Sequence, residues 1–205
     1  MSEPALAAHG SSADDYAEFA ADIAAQIEGF LVAVREIARG KDPASTLPLL
    51  LLQVSQLALA GGRLGAISDV VPDQRFEPDH GPDPDVDELR HRLAELLEPV
   101  DGYLEVVDPV DSARGADEYR LSDDIAGIAS DLLHGLTHFR AGHVVEALWW
   151  WQFSYLSSWG GACAAVMRTL HSLIAHSRLD MDRDPVTDAE DELLAEVASR
   201  AARKR

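Results

Sequence analysis

Residues 146–171, EALWWWQFSYLSSWGGACAAVMRTLH, constrain this chain more than any other stretch, because they hold all four of its tryptophans. On a helical wheel at 100° per residue, Trp149, Trp150 and Trp151 fan over about 200°, and Leu148, Phe153, Tyr155 and Leu156 fill much of the rest. A helix apolar on nearly every side belongs in the middle of a bundle. Gly160, Gly161, Ala162, Cys163, Ala164 and Ala165 follow, small enough to let a neighbouring backbone come close. The stretch therefore reads as a central pillar, with a sharp turn or a kink between Trp159 and Ala162.

The remaining pattern supplies helices to wrap that pillar. Tyr16, Phe19, Ile23, Ile27, Phe30, Leu31, Val34 and Ile37 recur at helical steps, after Ser12 or Asp14 as a cap and before Gly40. Asp42-Pro43 opens a second helix that runs to about Gly61 and is mostly buried. The prolines and acids of residues 68–84 make a loop. Asp85 then caps a third helix, with Glu88 completing a capping box, and Pro99 stops it. GYLEVVDP, residues 102–109, reads as one extended segment on the bundle, without a visible partner strand. Ser122 caps a fourth helix with Asp123 and Asp124 in its first turn. The short break at Ala141-Gly142 makes the fourth and fifth helices antiparallel neighbours. A sixth helix spans roughly residues 161–176, and Thr187 with Glu190 opens a last one.

These readings give a single all-α domain, a helical bundle of six to seven helices with one long acidic, proline-rich loop. Residues 1–14 are expected to be disordered, 15–177 to form the bundle domain, and 178–205 to add a C-terminal helix packed on the bundle and a basic tail. A formal charge of −19 excludes a sequence-independent grip on nucleic acid, disfavours anionic membranes, and suits a basic protein partner or a divalent cation. The longest apolar run, residues 47–60, is interrupted by Gln53, Ser55 and Gln56 and falls short of the roughly 20 residues a membrane span needs. The N-terminus lacks the pattern of a secretory signal, so a cytoplasmic location is expected. Cys163, the single cysteine, reads as a buried thiol.

Candidate chemistry centres on the fourth helix. Asp124, Asp131 and His138 are seven apart and nearly aligned, with His134 on the same side. Asp131, His134 and His138 have the spacing of three metal ligands. The competing reading, a solvated face opposite the apolar arc, takes precedence because no general base or fourth ligand is identifiable. Glu146 enters the most apolar helix, where a carboxylate needs a partner such as Arg140, His143, Arg168 or His171. Otherwise it serves with Asp124 or Asp131 as a general base or cation ligand. Trp150, with Ser154, is the part of the tryptophan cluster left for a groove or a partner.

Glu146, Ala147, Trp149, Trp151, Phe153, Trp159 and Gly160, with SDDIAGIASDL upstream and the GYLEVVDP segment, resemble an uncharacterised bacterial family of unknown function common in actinobacteria. Its core reads Glu-Ala-x-Trp-x-Trp-x-Phe-x-x-x-x-x-Trp-Gly, and the resemblance covers roughly residues 15–177. It implies a domain and no activity, substrate or cofactor. Where it implies basic or histidine residues after the tryptophans, this chain has Gln152 and Ser158. Two functions are expected on this footing. The first is a non-enzymatic interaction or adaptor protein without a cofactor, in which a homo-oligomer is compatible. The alternative is a metal-dependent helical-bundle hydrolase whose carboxylates hold Mg²⁺ or a similar ion.

Overall fold

Long apolar stripes at helical spacing pair first with their nearest neighbours in sequence, and that is how the bundle begins. The computed structural model describes residues 13–72, 82, 84–106 and 115–179. Helix α1 (Ala13–Ala38) and helix α2 (Pro43–Ala66) form a hairpin, closed at its open end by Arg63, which pairs with Asp22 and lies over the Phe19 ring. α1 buries Ile23, Ile27, Phe30, Leu31 and Val34. The Asp42 carboxylate accepts the Ser45 N–H at 3.2 Å and caps α2, as Asp42-Pro43 predicts. α2 then runs past Gly61 to Ala66, with Tyr155 and Trp159 packed where a Gly61 side chain would stand and Tyr155 where a Gly65 side chain would. It is not mostly buried: Leu50, Val54, Leu57 and Leu64 face inward, while Leu49, Leu52 and Leu59 are about half-exposed or more. Residues Ser45–Ala66 are in fact long and apolar enough to cross a membrane, with a mean hydropathy of 1.3, contrary to the estimate from the interrupted run. Their inward face packs on α1, and 33% of the apolar span is buried.

Helix α3 (Asp87–Leu97) buries Leu89, Leu93, Leu96 and Leu97. No capping box forms: Asp85 accepts the Asp87 N–H at 2.9 Å, and Glu88 turns to Arg92 at 2.7 Å. The lone extended segment is corrected too. Strand β1 (Gly102–Val106) pairs antiparallel with β2 (Ala116–Arg120), setting Tyr103 opposite Tyr119. Charged residues in ADEYR hide that second strand from a hydrophobicity pattern.

Helix α4 (Leu121–Arg140) follows β2 directly and packs against α1 and α3. Gly142, at φ +86°, ends it in a conformation that favours glycine and reverses the chain into α5 (Val144–Ser154). The two are antiparallel neighbours, as the short break predicts. They approach closely because Trp151 stacks where a Gly135 side chain would be, its Nε1–H donating to the Leu132 carbonyl at 3.2 Å. Trp151 and Trp159 are fully buried. The helix is nonetheless not a pillar enclosed on all sides. It rests on α4, α1 and α2 along one flank and leaves Phe153 51% exposed on the other, followed by Leu156 in the next turn at 66%.

Between Trp159 and Ala162 there is neither a turn nor a break. Tyr155–Trp159 is a π turn, in which the Gly160 N–H donates to the Tyr155 carbonyl, and α6 (Gly160–Leu179) continues from it. A Cβ at position 160 would overlap that carbonyl. The fifth and sixth helices are thus one rod. Among the described residues the chain has five rods and one two-stranded sheet, rather than six or seven helices and no sheet. Contacts divide it into two units, Met1–Leu170 and His171–Arg205. In the second, His176 Nδ1 meets the Ser172 carbonyl at 2.8 Å. Residues 13–14, expected to be disordered, are the first of α1, while the rest of that N-terminal stretch, residues 1–12, most of the acidic loop, and the last helix with its basic tail lie outside the described residues.

Gln152 is the polar exception in this core. Its Nε2 donates to the carbonyls of Leu64, Ile67 and Ser68, and its Oε1 accepts the Val70 N–H at 2.8 Å, so one buried amide caps α2 and pins the segment after it. Gln152→Leu, similar in volume, is expected to lower stability by about 2–4 kcal/mol in urea unfolding, because it strands those groups. Gly135→Ala is expected to cost about 1–3 kcal/mol by driving a methyl into Trp151.

Candidate functional site

The stripe Asp124, Asp131, His134 and His138 does not face solvent. His138 is buried to 1% exposure and both aspartates are half-buried, because α5, the π turn and the β1–β2 sheet lie over this side of α4. The solvated-face reading is corrected on that account. α4 is covered on both flanks, by α1 and α3 along its apolar arc and by these elements along its polar one.

Asp131 sits at the join. Its carbonyl accepts Trp150 Nε1–H at 2.9 Å and its carboxylate accepts the Ser158 hydroxyl at 2.8 Å. Burial raises the Asp131 pKa above its ordinary value, opposed by the Ser158 hydrogen bond and the charge of His134. The His134 ring lies 4.0 Å from that of Trp150, and its Nε2 is 3.3 Å from His138 Nε2. Asp131, His134 and His138 do not converge as metal ligands. No group of three His, Cys, Asp or Glu that could hold a metal ion occurs among the described residues. Trp150 is half-buried and anchored on α4 through its indole N–H, and Ser154 is buried with its hydroxyl donating to the Trp150 carbonyl at 2.7 Å.

Glu146 is half-buried one turn before Trp150. Arg140 pairs instead with Glu28 at 2.7 Å, and Arg168 with Glu105. No ion pair to Glu146 is formed among the described residues, so the buried network expected there is absent from Arg140 and Arg168. Cys163 is buried, with burial pushing its thiol pKa up to about 12, and it donates to the Val54 carbonyl. Such a thiol is inert.

The residues that sequence reasoning missed are on the hairpin side. Asp101, 2% exposed, accepts the Ser122 N–H and hydroxyl at 2.8 Å each and Arg120 Nε–H at 2.8 Å. Asp101, and not Ser122, therefore caps α4, from outside the helix. Beyond it Tyr103 and Glu105 turn inward while Leu104 and Val106 are exposed, the reverse of an ordinary amphipathic strand. The surface they cover is polar: the Tyr103 hydroxyl donates to Asp124, and Glu105 pairs with Arg168. Burial raises the pKa of Asp124 and, together with that hydrogen bond, of Tyr103. These groups line one wall of a cleft of about 600 Å³, and Leu156, Ser157, Ser158 and Gly161 line the other. The period-two alternation of Tyr103 and Glu105 was the available signal.

The sequence model of a family described as Domain of unknown function (DUF5063) matches residues 14–176. Among solved structures, the crystal structure of protein BF1032 from Bacteroides fragilis is similar in fold. It has a TM-score of 0.54 at 20% identity, over 77% of this chain and 89% of that one. A search of the curated proteins gives no match.

Asp131 generates a pH prediction. Its folded-state pKa is raised above 3.8, so the neutral acid is favoured by folding. That contribution is complete below the unfolded value and is lost as pH rises through the raised one. Asp131→Asn cannot ionise and keeps an acceptor for Ser158. It is expected to melt above the parent at pH 7, the gap closing below the unfolded value near pH 3.8, as followed by circular dichroism.

Proposed function

We propose that this chain, which belongs to the domain-of-unknown-function family DUF5063, is a non-enzymatic protein-interaction module that docks a basic segment of another protein on the outer flank of α5. The observation that carries this reading is the exposure of Phe153 and Leu156 on the helix that otherwise anchors the bundle. Trp149 stacks on Phe153 with ring centroids 5.5 Å apart and an interplanar angle of 10°, and Trp150 adjoins both. Aromatic side chains held rigidly by the fold lose little entropy on binding, which makes such a strip a good anchor.

Charge complementarity defines the partner. Glu146 lies three and four residues before Trp149 and Trp150, on the same flank, and has no ion pair among the described residues. With −19 on the chain, the complementary surface is an apolar residue flanked by lysine or arginine. The hydrolase alternative has less support, because Asp124 is engaged by Tyr103 and Asp131 by Ser158 on separate parts of α4.

Photo-crosslinking tests the docking. Benzoylphenylalanine at Phe153 is expected to capture, from the native lysate, a partner whose attached peptide carries Lys or Arg beside an apolar residue. Adduct yield should fall about fivefold or more with Glu146→Lys or in about 0.5 M salt. Labelling no greater than from the exposed control position Glu118, capture of a second copy of the chain, or yields indifferent to charge would each overturn it.

A further inference from the structure

The cleft between the β1–β2 sheet and the π turn shares Leu156 with the docking flank of α5, but its chemistry is of a different kind. We propose that this cleft is a receptor for a small organic ammonium ion, gripped by the Asp124 carboxylate and faced by the rings of Tyr103 and Tyr119.

The charges in the cleft leave one negative unit over. Arg168 and Glu105 neutralise each other, and Asp124 remains. Tyr103 hydrogen-bonds one oxygen of Asp124, and the other has no hydrogen-bond partner among the described residues. Among the described residues, that oxygen is left to accept from an N–H donor. Both tyrosines line the cleft, their ring centroids 6.0 Å apart and the planes tilted by 35°. Aromatic faces attract an ammonium group, and a carboxylate beside them supplies the charge-assisted hydrogen bond. On the opposite wall Gly161, Ala162 and Ala165 present little beyond backbone and methyl groups, a smooth bed for the alkyl part of such a ligand.

The alternatives fit less well. A divalent cation is served best by several converging carboxylates, and of the two in this cleft of about 600 Å³ Glu105 is paired with Arg168, which leaves Asp124 alone. An anion would have to displace Glu105 from Arg168. Burial holds the pKa of Asp124 above its ordinary value, as expected of a carboxylate without a full counter-charge, and a bound cation would draw it back down.

The test is an amide NMR titration of the intact protein at pH 7 with n-butylammonium chloride, with n-butanol as the neutral control. Saturable shifts at Tyr119, Ser157, Gly161 and Ala162 are expected from the ammonium and not from the alcohol. Asp124→Asn should weaken binding about tenfold or more, whereas Tyr103→Phe, which keeps the ring and frees the carboxylate, should preserve it. Should Asp124→Asn fail to fold, Tyr119→Leu takes its place, with weakened binding again expected. Absence of saturable shifts, equal shifts from n-butanol, or affinity unchanged in the folded variant would overturn the proposal.

Discussion

The structure depends on the place where Trp151 lies against Gly135. An indole fills the space that any side chain at position 135 would occupy, and its N–H reaches the Leu132 carbonyl. This contact brings α4 and α5 together and fixes the rotation of each about its own axis. Once α4 is so oriented, Asp131 is presented to Trp150 and Ser158, and the polar stripe is roofed over. The exposure of Phe153 follows from the same constraint, since a helix whose Trp151 is turned toward α4 must turn the residue two further on toward the outside.

Buried polar groups hold the irregular parts of the chain to this frame. Asp101 gathers the start of α4 and Arg120, and Gln152 gathers the end of α2 and the residues after it. In each case a side chain from another element replaces water at a helix terminus that could not otherwise be covered. The hairpin is held in the same way, by Tyr103 on Asp124 and by Glu105 on Arg168. Hydrophobic packing positions the rods, and these polar links position what joins them.

That division explains what could be read from the sequence. The stripes of α1, α3 and α4 and the break at Gly142 were legible because helical spacing is a local property. The second strand was not, because Asp117, Glu118 and Arg120 carry no hydrophobic alternation and the pairing is specified by its partner. Asp101 was invisible as a cap because it acts across 21 residues on a helix it does not belong to, while Ser122, beside the helix start, looked sufficient. The polar stripe of α4 reads from its spacing as a solvated face, since nothing local in those residues says that a hairpin will cover them. The resemblance to an uncharacterised family agrees with the family model over residues 14–176, which carries no activity with it.

One feature of that motif was countable. From Trp151, seven residues on is Ser158, the inward position of an unbroken α-helix, but it is Trp159 that is buried. Cys163, Val166 and Leu170 then keep the interval that Trp159 sets. The π turn inserts one residue into the helical count and so re-aims everything beyond it by about 100°. Loss of a single residue between positions 155 and 159 would leave helix content and composition almost unaltered, yet misdirect every later side chain. The segment acts as a reading frame for side-chain direction, in which length, rather than identity, is what cannot drift.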